Sequence, residues 1–201
     1  MKSCIVLCGG QSRRMGQDKG SMTIQGSPMI LHLLSRLNNE IDEVVIVLND
    51  EKRISKYRKI IDKNQFTYKI KFVEDIIKNK GPLSGIMTGL KNINSDYALV
   101  LPCDSPRVSK NLVNYLFSQI EEEYQGIVPY HSEDNKIKTS EPLHSIYKKT
   151  NIELMKKQLD KNVLNIKGLI EKINCKFIAI DNENLIKKDF ENLNTPNDVI
   201  K

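Results

Sequence analysis

The stretch LCGGQSRRMGQDK, residues 7–19, decides the fold class of this chain and points to the kind of ligand it binds. It overlaps an apolar run, CIVLC at residues 4–8, which is typical of a central strand buried on both faces of a sheet. Gly9 and Gly10 end this strand. Because glycine has no Cβ, both residues can take positive φ and let backbone N–H groups approach phosphate oxygens closely. The stretch therefore predicts a phosphate-binding loop after the first strand.

The same stretch carries three cations, Arg13, Arg14 and Lys19, which suit a polyanion. A tight turn with solvated side chains is the alternative, and two glycines alone would favour it. The full pattern GGxSxRMGxDK constrains nearly every position and favours phosphate binding. It is neither Walker A, GxxxxGK followed by Ser or Thr, nor the GxGxxG pattern of dinucleotide folds. A different type of phosphate loop is implied.

Length and charge limit the class of protein. A chain of 201 residues without a linker is expected to form one domain, residues 1–201, burying roughly 70% of its unfolded surface. The net charge of +6 comes from 31 Lys and Arg against 25 Asp and Glu, mixed along the chain. Aromatic residues make up 6% of the chain, and no basic stripe interleaved with them is present. A small anionic substrate fits this composition better than nucleic acid.

Neither a membrane segment nor a secretory signal is visible in the sequence. The longest stretch without Asp, Glu, Lys or Arg, residues 20–35, has 16 residues and contains Gly, Ser, Thr and Pro. The apolar N-terminal run stops at Gly9 and arginines follow. We therefore expect no contact with membranes and a cytoplasmic location.

The four cysteines form no CxxC pair and no Cys/His cluster. We expect free, mostly buried thiols and neither a zinc site nor a disulfide framework. Cys103 neighbours an acid at a strand end, but no partner histidine is evident, so no chemistry is assigned to it.

Short apolar runs alternate with amphipathic stretches, which predicts an α/β fold with a mostly parallel central sheet and helices on both faces. Strands are expected at residues 4–8, 44–48, 70–73, 97–101, 127–130 and 177–180, with another after residue 144. Helices are expected after Asp50, from Gly81 and over residues 109–122, with Gly85 and Gly89 used for packing. Ser27 and Pro28 are expected to cap and begin a helix with the apolar stripe Met29, Ile30, Leu33, Leu34 and Leu37. Thr150 with Glu153 reads as a capping box, residues 131–141 as a mobile polar loop, and Thr195 with Pro196 as a last helix start.

Asp104 lies in the segment LPCDSP, residues 101–106, directly after the apolar run YALVL. In open α/β sheets ligands bind beyond the carboxyl ends of the strands, so Asp104 and the Gly9 loop should face one crevice. An Asx turn or a helix cap is the usual role of a lone Asp between prolines. Beside a triphosphate loop, a Mg²⁺ ligand is the better interpretation, because Mg²⁺ is held by one or two carboxylates and substrate phosphates.

Four segments together give the chain a family resemblance: LCGGQSRRMGQDK, GPLSGI at residues 81–86, LPCDSP, and NLNTPND at residues 192–198. In this order they resemble the molybdenum cofactor guanylyltransferases of the MobA type. The resemblance implies a single Rossmann-like nucleotidyltransferase domain. It also implies a reaction that joins GMP from GTP to molybdopterin and releases pyrophosphate, with Mg²⁺ as cofactor and transient contact with molybdenum cofactor enzymes or insertion factors.

The resemblance also implies site residues. Asp104 would bind Mg²⁺, and Lys19 with Arg13 or Arg14 would neutralise the pyrophosphate leaving group, so Lys19, Arg13 and Asp104 are the catalytic candidates. The nucleotide-binding candidates are Leu7, Cys8, Gly9, Gly10, Lys19, Asn49, Asp75 and Asp104. No side-chain nucleophile is needed, because the acceptor already carries a terminal phosphate.

Two segments favour guanine over cytosine. The family usually reads LAGG where this chain has Cys8, and many bacterial members carry one more residue between Met-Gly and Asp-Lys. The related cytidylyltransferases tend to read LAAG and GDMP where this chain reads LCGG and PCDSP. Glu141 and His144 match pterin-side positions only loosely. A cytidylyltransferase, another small-molecule-phosphate nucleotidyltransferase, a nonenzymatic nucleotide-binding protein and an RNA-binding domain remain as alternatives.

Overall fold

The computed structural model describes residues 1–9, 18–131, 135–180 and 187–191. Its strands are β1 (Ser3–Leu7), β2 (Thr23–Ile24), β3 (Ser27–Pro28), β4 (Glu43–Leu48), β5 (Lys69–Glu74), β6 (Tyr97–Pro102), β7 (Gly126–Tyr130), β8 (Ser145–Lys148) and β9 (Cys175–Ala179). Its helices are α1 (Met29–Arg36), α2 (Glu51–Ile61), α3 (Gly81–Asn92), α4 (Lys110–Ser118), α5 (Ile152–Asp160) and α6 (Lys167–Ile170). The single-domain organisation over residues 1–201 stays a prediction.

Seven strands form one sheet in the order β5-β4-β1-β6-β8-β7-β9. β1 pairs in parallel with β4 and with β6, and β4 and β7 pair in parallel with β5 and β9. β8 alone among the seven runs against its neighbours, β6 and β7. The predicted mostly parallel α/β sheet is therefore confirmed, and the edge strand expected near residue 177 is β9.

Helices cover both faces of the sheet, as the sequence predicts. Cys4 and Val6 of β1 belong to a core that contains buried residues of α1, α2 and α4. Ile5 faces the opposite side, in a second core with residues of α3, α5 and α6. This alternation is what a strand buried on both faces requires. The apolar stripe predicted for α1 is fully buried as well.

Two glycines of α3 let this helix lie against β1. A Cβ at Gly89 would come within 2.5 Å of Ile5 Cγ2, and one at Gly85 within 3.0 Å of Leu7 Cδ2. Their expected packing role is confirmed. α3 thus passes directly under the strand that leads into the predicted phosphate loop.

The start of α1 differs from the prediction. Ser27 and Pro28 pair with β2 as the two-residue strand β3, and α1 begins at Met29 without a side-chain cap. The turn of this hairpin has positive φ at Gln25, 47°, and Gly26, 82°, which is the geometry of a tight two-residue hairpin turn. Ser27 is not the cap because its backbone pairs with Ile24 in the hairpin.

Two other helix ends also differ. Thr150 lies in a 3-10 turn, Lys149–Asn151, so α5 has Asn151 at its N-cap and no capping box forms. α4 ends at Ser118, earlier than the predicted residue 122.

The helix start predicted at Thr195 and Pro196 lies outside the described residues, as does part of the loop at residues 131–141. Within the described part of the chain, no helix is long and apolar enough to span a membrane.

Replacing Gly89 by Ala tests the contact between α3 and β1. Alanine favours helix formation by about 1 kcal/mol, but its Cβ would overlap three buried atoms of Ile5. Overpacking of this kind costs about 1–3 kcal/mol, so we expect a net loss in the free energy of unfolding in urea titrations. Lys91→Ala, at an exposed position of the same helix, should change stability by less than about 0.5 kcal/mol. Equal stability of Gly89→Ala and wild type would contradict this close packing.

Candidate active site

A cleft of about 740 Å³ opens at the carboxyl ends of β5, β4, β1 and β6. The strand order changes direction here, because β4 and β5 extend to one side of β1 whereas β6 lies on the other. Such switch points are where open α/β sheets bind ligands. All described nucleotide-binding candidates line this cleft: Leu7, Cys8, Gly9, Lys19, Asn49, Asp75 and Asp104. Gly10, Arg13, Arg14 and the segment 192–198 lie outside the described residues.

Glycine is required at position 9 because the Asn49 side chain lies close to its Cα. Asn49 donates from Nδ2 to the Gly9 carbonyl at 2.6 Å, and a Cβ on Gly9 would lie 2.5 Å from Asn49 Oδ1. Gly9 does not use the positive φ that glycine allows. The residue is needed because the amide side chain at the end of β4 fills the space that a side chain would occupy.

Cys8 forms part of the cleft floor through its backbone. Its N–H donates to Val47 O at 2.9 Å, and its carbonyl accepts a hydrogen bond from Arg53 Nη1 at 3.0 Å. Its thiol is buried, and burial raises the pKa of Cys8 well above the ordinary value. The backbone N–H of Cys8 is therefore already used within the sheet, and its thiol is not a nucleophile at neutral pH.

Lys19 and Asp104 form an ion pair in the cleft. Lys19 Nζ lies 2.8 Å from Asp104 Oδ2, although the two residues are 85 positions apart in the chain. The Asp104 side chain is only 13% exposed, so this contact is partly shielded from water. The two independent sequence motifs that predicted a phosphate loop and a metal ligand thus meet at one point.

The residue before Lys19 is anchored to α2, which sequence reasoning missed. Tyr57 Oη donates to Asp18 Oδ1 at 2.8 Å, and Lys56 Nζ lies 3.7 Å from Asp18 Oδ2. Tyr57 is fully buried and the Asp18 side chain is 12% exposed. Asp18 is part of the motif DK, but its partners lie 38 and 39 residues further along the chain, so only the fold reveals them.

Asp75 follows β5 and is held from α3. Ser84 Oγ and Thr88 Oγ1 lie 2.6 and 2.8 Å from Asp75 Oδ1, and both donor residues are fully buried. The Ile77 N–H lies 3.3 Å from the same oxygen. These contacts use Oδ1 and fix the carboxyl group at the cleft wall. The spacing of four residues between Ser84 and Thr88 is the one signal in the sequence that places both hydroxyls on one helix face.

A second polar group lies where β6 meets β8. Glu141 Oε1 lies 2.7 Å from His131 Nε2, and Glu141 Oε2 lies 3.8 Å from His144 Nδ1. Burial alone would raise the pKa of Glu141, but the contacts with His144 and His131 outweigh it, so the pKa lies below its usual value. His144 Nε2 in turn lies 3.0 Å from Ser105 Oγ, one residue after Asp104.

The sheet order and the cleft at the switch point define an α/β protein with a ligand-binding cleft at the carboxyl ends of its strands. Comparison with known proteins gives the family. Residues 4–172 match the sequence model of the MobA-like NTP transferase domain. The chain therefore belongs to the MobA-like NTP transferase family, and it is an enzyme of the nucleotidyltransferase class.

Curated relatives match over nearly the whole chain. A protein of Methanothermobacter thermautotrophicus called probable molybdenum cofactor guanylyltransferase is 35% identical over 99% of this chain and 98% of its own. A protein of the same name from Bacillus cytotoxicus is 29% identical over 95% of this chain and 90% of its own.

A solved structure confirms the fold. The crystal structure of molybdopterin-guanine dinucleotide biosynthesis protein A from Archaeoglobus fulgidus superposes with a TM-score of 0.78. The superposition covers 100% of this chain and 95% of the Archaeoglobus fulgidus chain, at 24% sequence identity.

The lowered pKa of Glu141 predicts a pH dependence of stability. A carboxyl group whose pKa is lower in the folded state stabilises the fold above its unfolded pKa, about 4.3, and loses this effect as the pH falls through the folded pKa. Glu141→Gln should therefore lower the free energy of unfolding at pH 7, and its difference from wild type should shrink below about pH 4. Urea titrations between pH 3 and pH 7 measure this difference. Glu122→Gln, at an exposed position, should match wild type throughout, and a Glu141→Gln difference independent of pH would contradict the interpretation.

Proposed function

We propose that this protein transfers GMP from GTP to molybdopterin and releases pyrophosphate. The observation that carries the proposal is the meeting of Lys19 and Asp104 in a cleft at the switch point, in a family of NTP transferases. Similarity along 99% of the chain to a protein called a molybdenum cofactor guanylyltransferase supports the choice of reaction.

The charge of the cleft supports a divalent cation. Among its described lining residues, Asp18, Asp75 and Asp104 carry three negative charges and Lys19 one positive charge. Lys56 and Arg53 of α2 lie 3.7 and 3.9 Å from Asp18, so cations balance these acids. The described part of the cleft therefore has no surplus positive charge for the two proposed phosphate substrates. Arg13, at the start of the loop, would supply part of the missing positive charge, and a metal ion would supply more.

The residues present fit Mg²⁺ bound together with a nucleotide. Asp104 offers a hard carboxylate oxygen at the cleft, as Mg²⁺ prefers. Within the described residues, no group of three acidic, His or Cys side chains could hold a metal without further ligands. This matches the usual Mg²⁺ site, in which substrate phosphates provide several ligands. Asp104 would therefore hold the ion jointly with the triphosphate.

Bound there, Mg²⁺ would neutralise phosphate charge and polarise the α-phosphorus of GTP. Lys19 would exchange part of its contact with Asp104 for the β and γ phosphates, and Arg13 would neutralise charge on the departing pyrophosphate. An oxygen of the terminal phosphate of molybdopterin forms the new bond to the α-phosphorus. The bond from that phosphorus to the pyrophosphate oxygen breaks, and its electron pair leaves with pyrophosphate.

The remaining candidates would position GTP. Leu7, Cys8 and Gly9 line the cleft at the end of β1, whereas Asn49 and Asp75 lie on the side of β4 and β5. Gly10, the next residue in the sequence, would contact the nucleotide as well. The guanine preference rests on the segments LCGG and PCDSP. A cytoplasmic location and transient contact with molybdenum cofactor enzymes or insertion factors complete the proposal.

Product analysis tests this function. The protein is incubated with Mg²⁺, molybdopterin and each of the four nucleoside triphosphates, and pyrophosphate release and product mass are measured. We expect the guanine dinucleotide product, with GTP preferred over CTP, ATP and UTP. A cytosine product would replace the guanine assignment, and a product only with a sugar phosphate would replace the acceptor.

Asp104→Asn separates a metal ligand from a turn residue. Asparagine keeps the shape and can still serve in a turn, but it removes the charge that would hold the ion. We expect turnover to fall on the order of 100-fold or more, with a raised requirement for Mg²⁺ and little change in melting temperature. Asp160→Asn, at an exposed position of α5, is the matched control and should behave as wild type. Unchanged rate and Mg²⁺ dependence in Asp104→Asn would remove Asp104 from the mechanism.

A further inference from the structure

A side-chain contact ties the turn that carries Asp104 to the second half of the sheet. The Cys103 N–H donates to Leu7 O of β1 at 3.1 Å, and the Ser105 N–H donates to Pro102 O within the turn at 3.3 Å. The Ser105 side chain is fully buried, and its Oγ lies 3.0 Å from Nε2 of His144, the residue before β8. The position next to the proposed metal ligand is therefore linked to residues outside the cleft.

His144 is buried, with 1% of its surface exposed. Within the described residues its Nδ1 has no hydrogen-bond partner, but Glu141 Oε2 lies 3.8 Å away. Because its contacts with two histidines keep the pKa of Glu141 low, this carboxyl group is an anion at neutral pH. An anion facing Nδ1 favours the tautomer with the proton on Nδ1. Nε2 then accepts the hydrogen bond from the Ser105 hydroxyl.

An aromatic ring fixes this group. The Phe190 ring lies edge-on to His144, with centroids 5.3 Å apart, and edge-on to His131 at 6.1 Å. His131 also lies 2.7 Å from the other oxygen of Glu141. Packing against Phe190 and the nearby Glu141 carboxylate, which His131 also contacts, thus hold the His144 ring in one orientation toward Ser105.

The order Ser105, His144, Glu141 resembles that of a hydrolase triad, but its burial excludes that role. A nucleophilic serine must reach a substrate, whereas Ser105 has no exposed surface. The neighbour of Ser105 that does reach the cleft is Asp104.

We infer that His144, oriented by Glu141, is a positioning residue that fixes the Ser105 turn and so holds Asp104 ready to bind the metal–nucleotide complex. This inference rests on the proposed role of Asp104. It assigns His144 no contact with the substrates. Similar outer contacts around metal ligands change metal affinity by about 10- to 100-fold when removed.

Matched substitutions test the inference. His144→Gln places an amide near the position of Nε2 and can keep the contact with Ser105, whereas His144→Asn resembles Nδ1 and keeps only the side toward Glu141. Mn²⁺ affinity is measured by electron paramagnetic resonance in the presence of α,β-methylene-GTP, a GTP analogue that cannot release pyrophosphate. The requirement of turnover for Mg²⁺ is measured in parallel.

We expect His144→Ala and His144→Asn to weaken Mn²⁺ binding about 10-fold and His144→Gln to restore most of it. Ser105→Ala should show the same loss, and the Ser105→Ala/His144→Ala double variant should lose no more than either single variant. His32→Ala is the control, since His32 Nε2 lies 2.9 Å from the Ile24 carbonyl in a similar single contact of α1. It should keep the Mn²⁺ affinity of wild type, even if its melting temperature falls.

Three results would overturn the inference: equal Mn²⁺ affinity in wild type and His144→Ala, equal effects of Gln and Asn, or multiplied losses in the double variant. Failure of the proposed function gives a different pattern. Wild type would then form no guanine dinucleotide, while the metal-affinity series of the His144 variants would still be measurable with the analogue. Wild type that binds no Mn²⁺ with the analogue would refute both the role of Asp104 and that of His144.

Discussion

The site depends on the parallel pairing of β1 with both β4 and β6. In this register Leu7 lies opposite Val47 on one side and Pro102 on the other, so three strands end at the same level. The residues that follow them, Gly9, Asn49 and Asp104, therefore emerge into one cleft. A slip of one residue in either pairing would turn alternate side chains of β1 to the wrong core and separate these groups. The same pairing thus determines both the core and the site.

Charge connects the elements that this register brings together. Lys19 contacts Asp104 after β6, while the preceding residue, Asp18, is held by Tyr57 and Lys56 of α2. Asp18 and Lys19, which end the predicted phosphate loop, are therefore held from both sides of β1. In the proposed function, a lysine held in this way would lose less conformational entropy on binding phosphate, because its backbone and neighbours are already ordered.

Much of this architecture could be predicted from local pattern, because buried parallel strands are continuous apolar runs and their ends define the crevice. The predictions failed where long-range pairing overrides a local signal. Ser27 has the sequence of a cap but belongs to a hairpin, and Thr150 has that of a capping box but lies in a 3-10 turn. The anchors of the site, Tyr57 for Asp18 and His144 for Ser105, were not found, because each contact joins residues about 39 positions apart.

The acid in the cleft separates an enzyme from a protein that only binds GTP. Asp104 forms an ion pair with Lys19, so this cation is not fully available to a phosphate. The carboxylate also adds negative charge where the triphosphate would bind. Both effects would weaken nucleotide binding in the absence of a divalent cation. A binding protein would gain affinity from a neutral residue at this position. In the proposed reaction, Asp104 would hold a divalent cation, which would supply positive charge where charge develops between the two phosphate groups. The charge of Asp104 therefore fits the proposed group transfer better than nucleotide binding alone.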